Sequence, residues 1–319
     1  MALSFGQLTA ITEKSYIPKL VDNVYNSSPV IKRMTQPGKL KLKTGGTSIL
    51  APVYASKPSA GGYYKDLDAL STSATDNMTA AEFAWKQLYE SIRIPRSDIL
   101  KNSGDAQKLS LIESKMKIAE SNIVENLSVG LFSDGTAATG ALTVDQITGF
   151  AALASASTTY GGIAVADMAT WIAQVKDNSG TLRALSLNLM QQVDNLATFN
   201  GAKPTVLIGR KNVYDQYWSL LQPHQRLISQ EMIGLGFKDI IEFNGKAFLA
   251  DDHAVANTIL FLDEENVYLA VHRDENMRAE TLERLETSNS MLSRIFWMGN
   301  LISHSRRSNG YLKDIEVSA

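Results

Sequence analysis

A chain of 319 residues, 44% hydrophobic and 20% charged, can bury more than one packed unit. It contains no cysteine, which excludes disulfides, thiolate metal sites and cysteine nucleophiles. Lys plus Arg number 31 against 33 Asp plus Glu, a balance that argues against a sequence-reading nucleic-acid binder, which is usually clearly basic.

No apolar run approaches the ~20 residues of a membrane span. The opening MALSFGQLTAITEKSYIPKL lacks the basic-then-apolar layout of a signal peptide. These features predict a soluble chain made in the cytoplasm.

The charge is unevenly placed. Residues 1–47 carry Lys14, Lys19, Lys32, Arg33, Lys39, Lys41 and Lys43 against Glu13 and Asp22, a net of +5 that leaves −7 for the rest of a chain totalling −2. A basic arm on a mildly acidic body predicts that the arm lies on a negative neighbour or on phosphate, with Lys39, Lys41 and Lys43 as the contact candidates. Pro18, Pro29, Pro37 and Gly45-Gly46 interrupt residues 1–46. They predict an extended arm with one or two short helices, one of them at Val21, Val24 and Tyr25.

Residues 47–95 read as two long strands around a small, polar, glycine-containing tip. Phe83, Trp85 and Tyr89 share one parity and Ile92 and Ile94 the other, which predicts a twist or bulge between Tyr89 and Ile92. The tip of about 20 residues has little of its own to pack, so it is functional or disordered. The aromatics of this loop lack a core to enter. Tyr63 and Tyr64 at the tip are predicted subunit contacts, whereas Trp85 either joins them or packs in the loop's own base.

The clearest helix spans about 105–132. Leu109, Ile112, Met116, Ala119, Ile123 and Leu127 recur every three or four residues, with Asp105 as a candidate N-cap. Its length is long for a globular helix, at about 1.5 Å per residue. Helical texture returns at Met168 to Val175, Leu187 to Leu196 and Asn212 to Leu221. PTVLIG, KDIIEF, KAFLA, TILFLD and NVYLAVH read as strands, and Asn244-Gly245 is a hairpin signal. Residues 271–319 are strand-like, closing on GYLKDIEV.

Little in the sequence points to catalysis. Gly135 to Gly140 has phosphate-loop spacing but is followed by Ala141 and Leu142, and it succeeds a helix where the motif requires a strand. His224, His253, His272 and His304 form no zinc motif. Asp251-Asp252-His253 holds the parts of a metal or acid–base site. Neighbours in a strand point to opposite faces, so a polar turn between two strands is the simpler reading. A soluble hydrolase built on these three residues is the distant alternative.

The order of basic arm, two-stranded loop, long helix, mixed unit and late strands resembles the major capsid protein of tailed double-stranded DNA bacteriophages, the Hong Kong 97-type fold. The resemblance is carried by AAEFAWKQLYESIRIPRSDILKNSG with DAQKLSLIESKMKIAESNIVENLSVGLFSDGT, and by KPTVLIGRKNVYDQYWSLLQ with LGFKDIIEFNGKAFLADDHAVANTILFLDEENVYLAVH. GNLISHSRRSNGYLKDI adds to it.

It implies an α+β chain of four parts: an N-terminal arm (1–46), an extended β-hairpin loop (47–95), a peripheral domain (96–144 and 271–319) holding the long spine helix, and an axial domain (145–270). It also implies a non-enzymatic virion protein with no cofactor, assembled in the host bacterial cytoplasm. Pentamers and hexamers of this chain would close an icosahedral head around non-specifically packaged DNA, with a portal protein and no membrane. No charged scaffolding segment precedes the arm. Scaffolding is then a separate protein or a cleaved part of a precursor, and the Met1 start favours the former. Lys57 and Lys65 lie in the loop where some members link subunits covalently, but no acceptor motif accompanies them. Lys65 stands with Tyr63, Tyr64 and Trp85 as an intersubunit candidate. An encapsulin-like compartment shell of the same fold is the alternative.

Overall fold

The computed structural model describes residues 28–54, 63–66, 78–101, 105–136, 146–221, 241–285 and 288–317. The expected helix at Val21, Val24 and Tyr25, Lys57, most of the loop tip, the end of the Gly135 to Gly140 motif and the start of KDIIEF lie outside them.

Ser28 caps a short helix, α1 (Pro29–Met34). Its hydroxyl accepts from Val30 N–H at 3.3 Å, and Pro29 takes a first-turn position, where the missing N–H leaves no bond unmade. Next come β1 (Leu40–Lys43), β2 (Ser48–Tyr54), β3 (Met78–Ala84), β4 (Lys86–Pro95), α2 (Arg96–Lys101) and the 27-residue α3 (Asp105–Leu131). The mixed region holds α4 (Phe150–Leu153), β5 (Gln174–Lys176), α5 (Leu187–Ala197), β6 (Val206–Gly209), α6 (Lys211–Leu221), β7 (Glu242–Phe243), β8 (Lys246–Ala250) and β9 (Ile259–Leu262). The chain closes with β10 (Val267–His272), β11 (Arg278–Ala279), β12 (Glu283–Arg284), β13 (Ser290–Ser303) and β14 (Gly310–Leu312).

Three sheets result. In the first, the 14-residue β13 pairs antiparallel with β4 on one side and with β10, β11 and β12 on the other, while β1 adds parallel to β10. In the second, the order is β5-β14-β9-β6-β8-β7. The third is the β2–β3 hairpin. α3 lies along β4. Met116, Ala119, Ile123, Leu127 and Leu131 are buried at helical spacing, and Asn122 donates to Glu90 at 2.9 Å.

The central strands β6 and β9 of the second sheet are buried on both faces, which is why they read as unbroken apolar runs. One face, with Leu207, Phe248 and Phe261, packs under α5 and α6. The other, with Val206, Ile208, Leu249, Leu260 and Leu262, belongs to the main core shared with α1, α3 and the first sheet. At Asn244-Gly245 both residues have positive φ, 50° and 71°, the turn that joins β7 to β8 with a strand-compatible twist.

Two local expectations differ from the fold. Met168 to Val175 is not helical. Met168 and Trp171 are buried from a turn, the Trp171 indole donates to Tyr160 O at 2.9 Å, and Val175 enters β5 beside β14. Two apolar residues at helical spacing serve a folded loop equally well. The change of buried face comes at Trp85, ahead of the expected place. Ala81 and Phe83 are buried in β3, whereas Ile92 and Ile94 are buried in β4. Tyr89 is exposed.

Candidate assembly interface

The β2–β3 hairpin buries one face and exposes the other. Its inner face, with Ile49, Ala51, Val53, Ala81 and Phe83, is buried against the chain's own body. Phe83 meets Tyr160 edge-on at 5.0 Å, and Glu82 N–H donates to Gly161 O at 2.8 Å. Gly161 must be glycine, because a Cβ there would come within 2.7 Å of Ala81 Cβ at a positive φ of 59°. Asn300, wholly buried, ties the hairpin's end to the body by donating to Ala84 O at 2.9 Å and accepting from Thr148 N–H at 2.9 Å.

The outer face is largely apolar as well, with Glu82 opposite Leu50 as its one charge. Leu50 is 60% exposed, Tyr54 78% and Met78 55%, and the register sets Tyr54 opposite Met78 and Pro52 opposite Ala80. A strand pair with an apolar row on each face needs two covers, and its own body supplies one. Beneath its end, Pro52, Tyr54, Met78, Trp171 and Phe199 help to line a cleft of about 480 Å³, where the Arg307 guanidinium stacks on Phe199 at 4.6 Å.

The predicted contact residues fall in different settings. Tyr63 is fully exposed, and Tyr64, Lys65 and Asp66 are exposed beside it. Trp85 is half-buried in the loop's base, where its indole donates to Gly46 O at 2.9 Å and its ring meets His272 at 5.5 Å. Lys39 Nζ lies 3.0 Å from the Glu264 carboxylate. Lys41 Nζ sits 3.9 Å above the Tyr268 ring. Lys43 is exposed at the end of β1.

Asp251-Asp252-His253 is a turn that closes β8. The Asp251 carboxylate accepts from His253 N–H at 3.0 Å and from Ser28 Oγ at 2.8 Å. Asp252 is exposed, and His253 Nε2 faces Glu125 of α3 at 3.2 Å. The three side chains diverge toward different elements. Among the described residues, no group of three or more His, Asp or Glu is placed to hold a metal ion. No helix among them is long and apolar enough to cross a membrane.

Sequence reading missed the outer hairpin row and Arg306. The signal for the first was present: in SILAPVY both parities are apolar, unlike a half-buried strand. Arg306 gave no signal. It is wholly buried and donates to Leu153 O at 2.8 Å, Ala152 O at 2.8 Å and Thr158 O at 2.7 Å. Burial pulls its pKa down to about 10, so the guanidinium stays charged at neutral pH.

No family model matches the chain, and no curated protein does. Solved structures match along nearly its whole length. The capsid asymmetric unit of cyanophage A-1(L) superposes with a TM-score of 0.66 at 15% identity, covering 90% of this chain and 93% of that one. The chain has the Hong Kong 97-type capsid fold. The capsid of a native GTA particle shares the capsid fold at a TM-score of 0.55 and 12% identity, covering 87% of this chain and 89% of that one. The holo-SrpI encapsulin complex from Synechococcus elongatus PCC 7942 has it at a TM-score of 0.55 and 9% identity, with 88% and 86% covered.

Proposed function

We propose that this chain is the major capsid protein of a tailed phage, a structural subunit that self-assembles into an icosahedral head around double-stranded DNA. The observation that carries the reading is the hairpin with an apolar row on each face: one is covered by its own body, and the other, with Leu50, Tyr54 and Met78 around the single charge of Glu82, is left for a neighbour. A neighbour related by closed symmetry supplies that cover in every subunit at once, and many moderate contacts then sum to a stable shell.

The four-part division supports the reading. The arm (1–46) and loop (47–95) precede a peripheral body (96–144 and 271–319) carried by α3 and the first sheet. The proposed axial body (145–270) holds the second sheet apart from β14, which crosses over to join it; β10, at the end of that range, belongs to the first sheet. Tyr63, Tyr64 and Lys65 are the proposed tip contacts, with Trp85 setting the loop's base. Lys43 and Lys41 are the proposed cations for packaged DNA or a neighbour, whereas Lys39 is engaged by Glu264. The protein works without catalysis, in the virion, after assembly in the host cytoplasm with a portal protein.

The likeness to the encapsulin complex keeps a second reading in place, a compartment shell that encloses protein cargo. Electron microscopy of the protein expressed alone and with its genomic neighbours tests both. Closed shells that fill with nuclease-protected DNA bear out the head reading. Shells that fill with a co-expressed enzyme favour the compartment. Small monodisperse particles under all conditions overturn both.

A further inference from the structure

The two large sheets share one core and are joined by two short links. Residues 263–266 run from β9 in the second sheet to β10 in the first, and residues 304–309 from β13 in the first to β14 in the second. The segment from Ser28 onward touches the second sheet, the first of these links and the first sheet in turn. Ser28 Oγ donates to Asp251 at 2.8 Å, just beyond β8. α1 buries Val30, Ile31 and Met34 in the main core. Arg33 Nε and Lys39 Nζ then converge on one oxygen of Glu264, at 2.6 Å and 3.0 Å. The other Glu264 oxygen accepts from the Thr205 hydroxyl at 3.0 Å, one residue before β6. Finally β1 pairs with β10, and Gly45 N–H donates to His272 Nε2 at 3.3 Å at the far end of that strand.

The side chains of Glu264 and Arg33 are 3% and 5% exposed, so this ion pair sits away from water. Removing one partner of a buried pair leaves the other charge uncompensated, which is costly even where the intact pair adds little. Lys39 is 21% exposed and can turn its ammonium to solvent, whereas Arg33 is buried with Glu264.

We propose that residues 28–46 form a brace that fixes the angle between the two sheets, and that Glu264 is the residue that latches it. If the chain is a shell subunit, as the previous section reads it, that angle is a local curvature, and the latch selects among shell diameters.

Glu264→Gln in the full, unassembled chain tests the brace by hydrogen–deuterium exchange. Exchange in residues 28–43 and 263–266 should speed up at least tenfold, while the β4–β13 and β6–β8 ladders stay as slow as in the parent. Uniform acceleration would show that Glu264 only supports the fold, and unchanged exchange that it latches nothing; either result overturns the proposal. If Glu264→Gln lowers the yield of folded chain, Glu264→Asp, which keeps the charge on a shorter stem, gives the same localised pattern with smaller amplitude.

Diameters of assembled particles form a separate arm. A broadened distribution for Glu264→Gln supports the curvature role, and an unchanged one overturns it. A parent chain that never assembles overturns the shell reading and leaves the exchange result to decide the brace alone.

Discussion

Arg306→Met keeps an unbranched stem in the core and deletes the guanidinium. Two backbone carbonyls, those of Leu153 and Thr158, lose their donor; the Ala152 carbonyl keeps Ser155 N–H at 3.3 Å. A buried acceptor left unmade costs about 1–3 kcal/mol, so the pair costs about 2–6 kcal/mol, a large share of the roughly 5–15 kcal/mol that holds a protein folded. Ala152 and Leu153 also end α4, where a cation meets the negative end of the helix, so charge and geometry act together. Arg306→Lys brings a point charge in place of a planar fork and should recover only part of the loss. Urea unfolding of the unassembled chain, followed by circular dichroism, reads the midpoint, and an unchanged slope confirms a change in stability alone. A midpoint for Arg306→Met within about 1 kcal/mol of the parent would show that solvent or relaxation satisfies those carbonyls, and the clamp reasoning would fail.

Tyr311→Phe should stabilise by about 1 kcal/mol at neutral pH, because its buried hydroxyl has no hydrogen-bond partner among the described residues. Burial also raises the Tyr311 pKa in the folded chain. The unfolded chain therefore loses its proton first, and this group's stability is lost as pH rises above about 10, at roughly 1.4 kcal/mol per unit; the alkaline unfolding midpoint of Tyr311→Phe should move upward. Gly149→Ala would bring a Cβ within 2.2 Å of Leu131 O and 2.6 Å of Gly130 O, both backbone. It should cost more than about 3 kcal/mol, visible as a lowered melting temperature or insoluble expression. Deleting residues 59–76 should leave the melting temperature within a few degrees of the parent and abolish closed particles by microscopy; undiminished assembly would remove the loop's interlocking role.

What could be read in advance was periodic or local. The apolar stripe of α3 runs through Met116, Ala119, Ile123 and Leu127, and such a stripe has no other use than a buried helix face. Asn244-Gly245 announced its turn because few other residue pairs adopt two positive φ values in succession. Asp251-Asp252-His253 proved to be the strand-end turn its neighbours suggested, and its histidine faces Glu125 of α3 in its own chain. What could not be read depends on partners distant in sequence. Arg33 and Glu264 are separated by 231 residues, and Arg306 lies 153 from Leu153, so neither residue carries a local mark of its role. Trp85 was ambiguous for the same reason, since the carbonyl of Gly46 that its indole meets lies across the hairpin.

β13 also has a mechanical consequence. It faces β4 through ten consecutive residue pairs, from Ser290 opposite Pro95 to Gly299 opposite Lys86, and β4 continues without a loop from the hairpin. A pull on the hairpin by an adjoining subunit therefore runs along β4 and loads that ladder lengthwise. Bonds strained in parallel must yield together, whereas bonds peeled from one end yield singly. In the proposed shell, tension across the wall would reach the body of each subunit along this ladder.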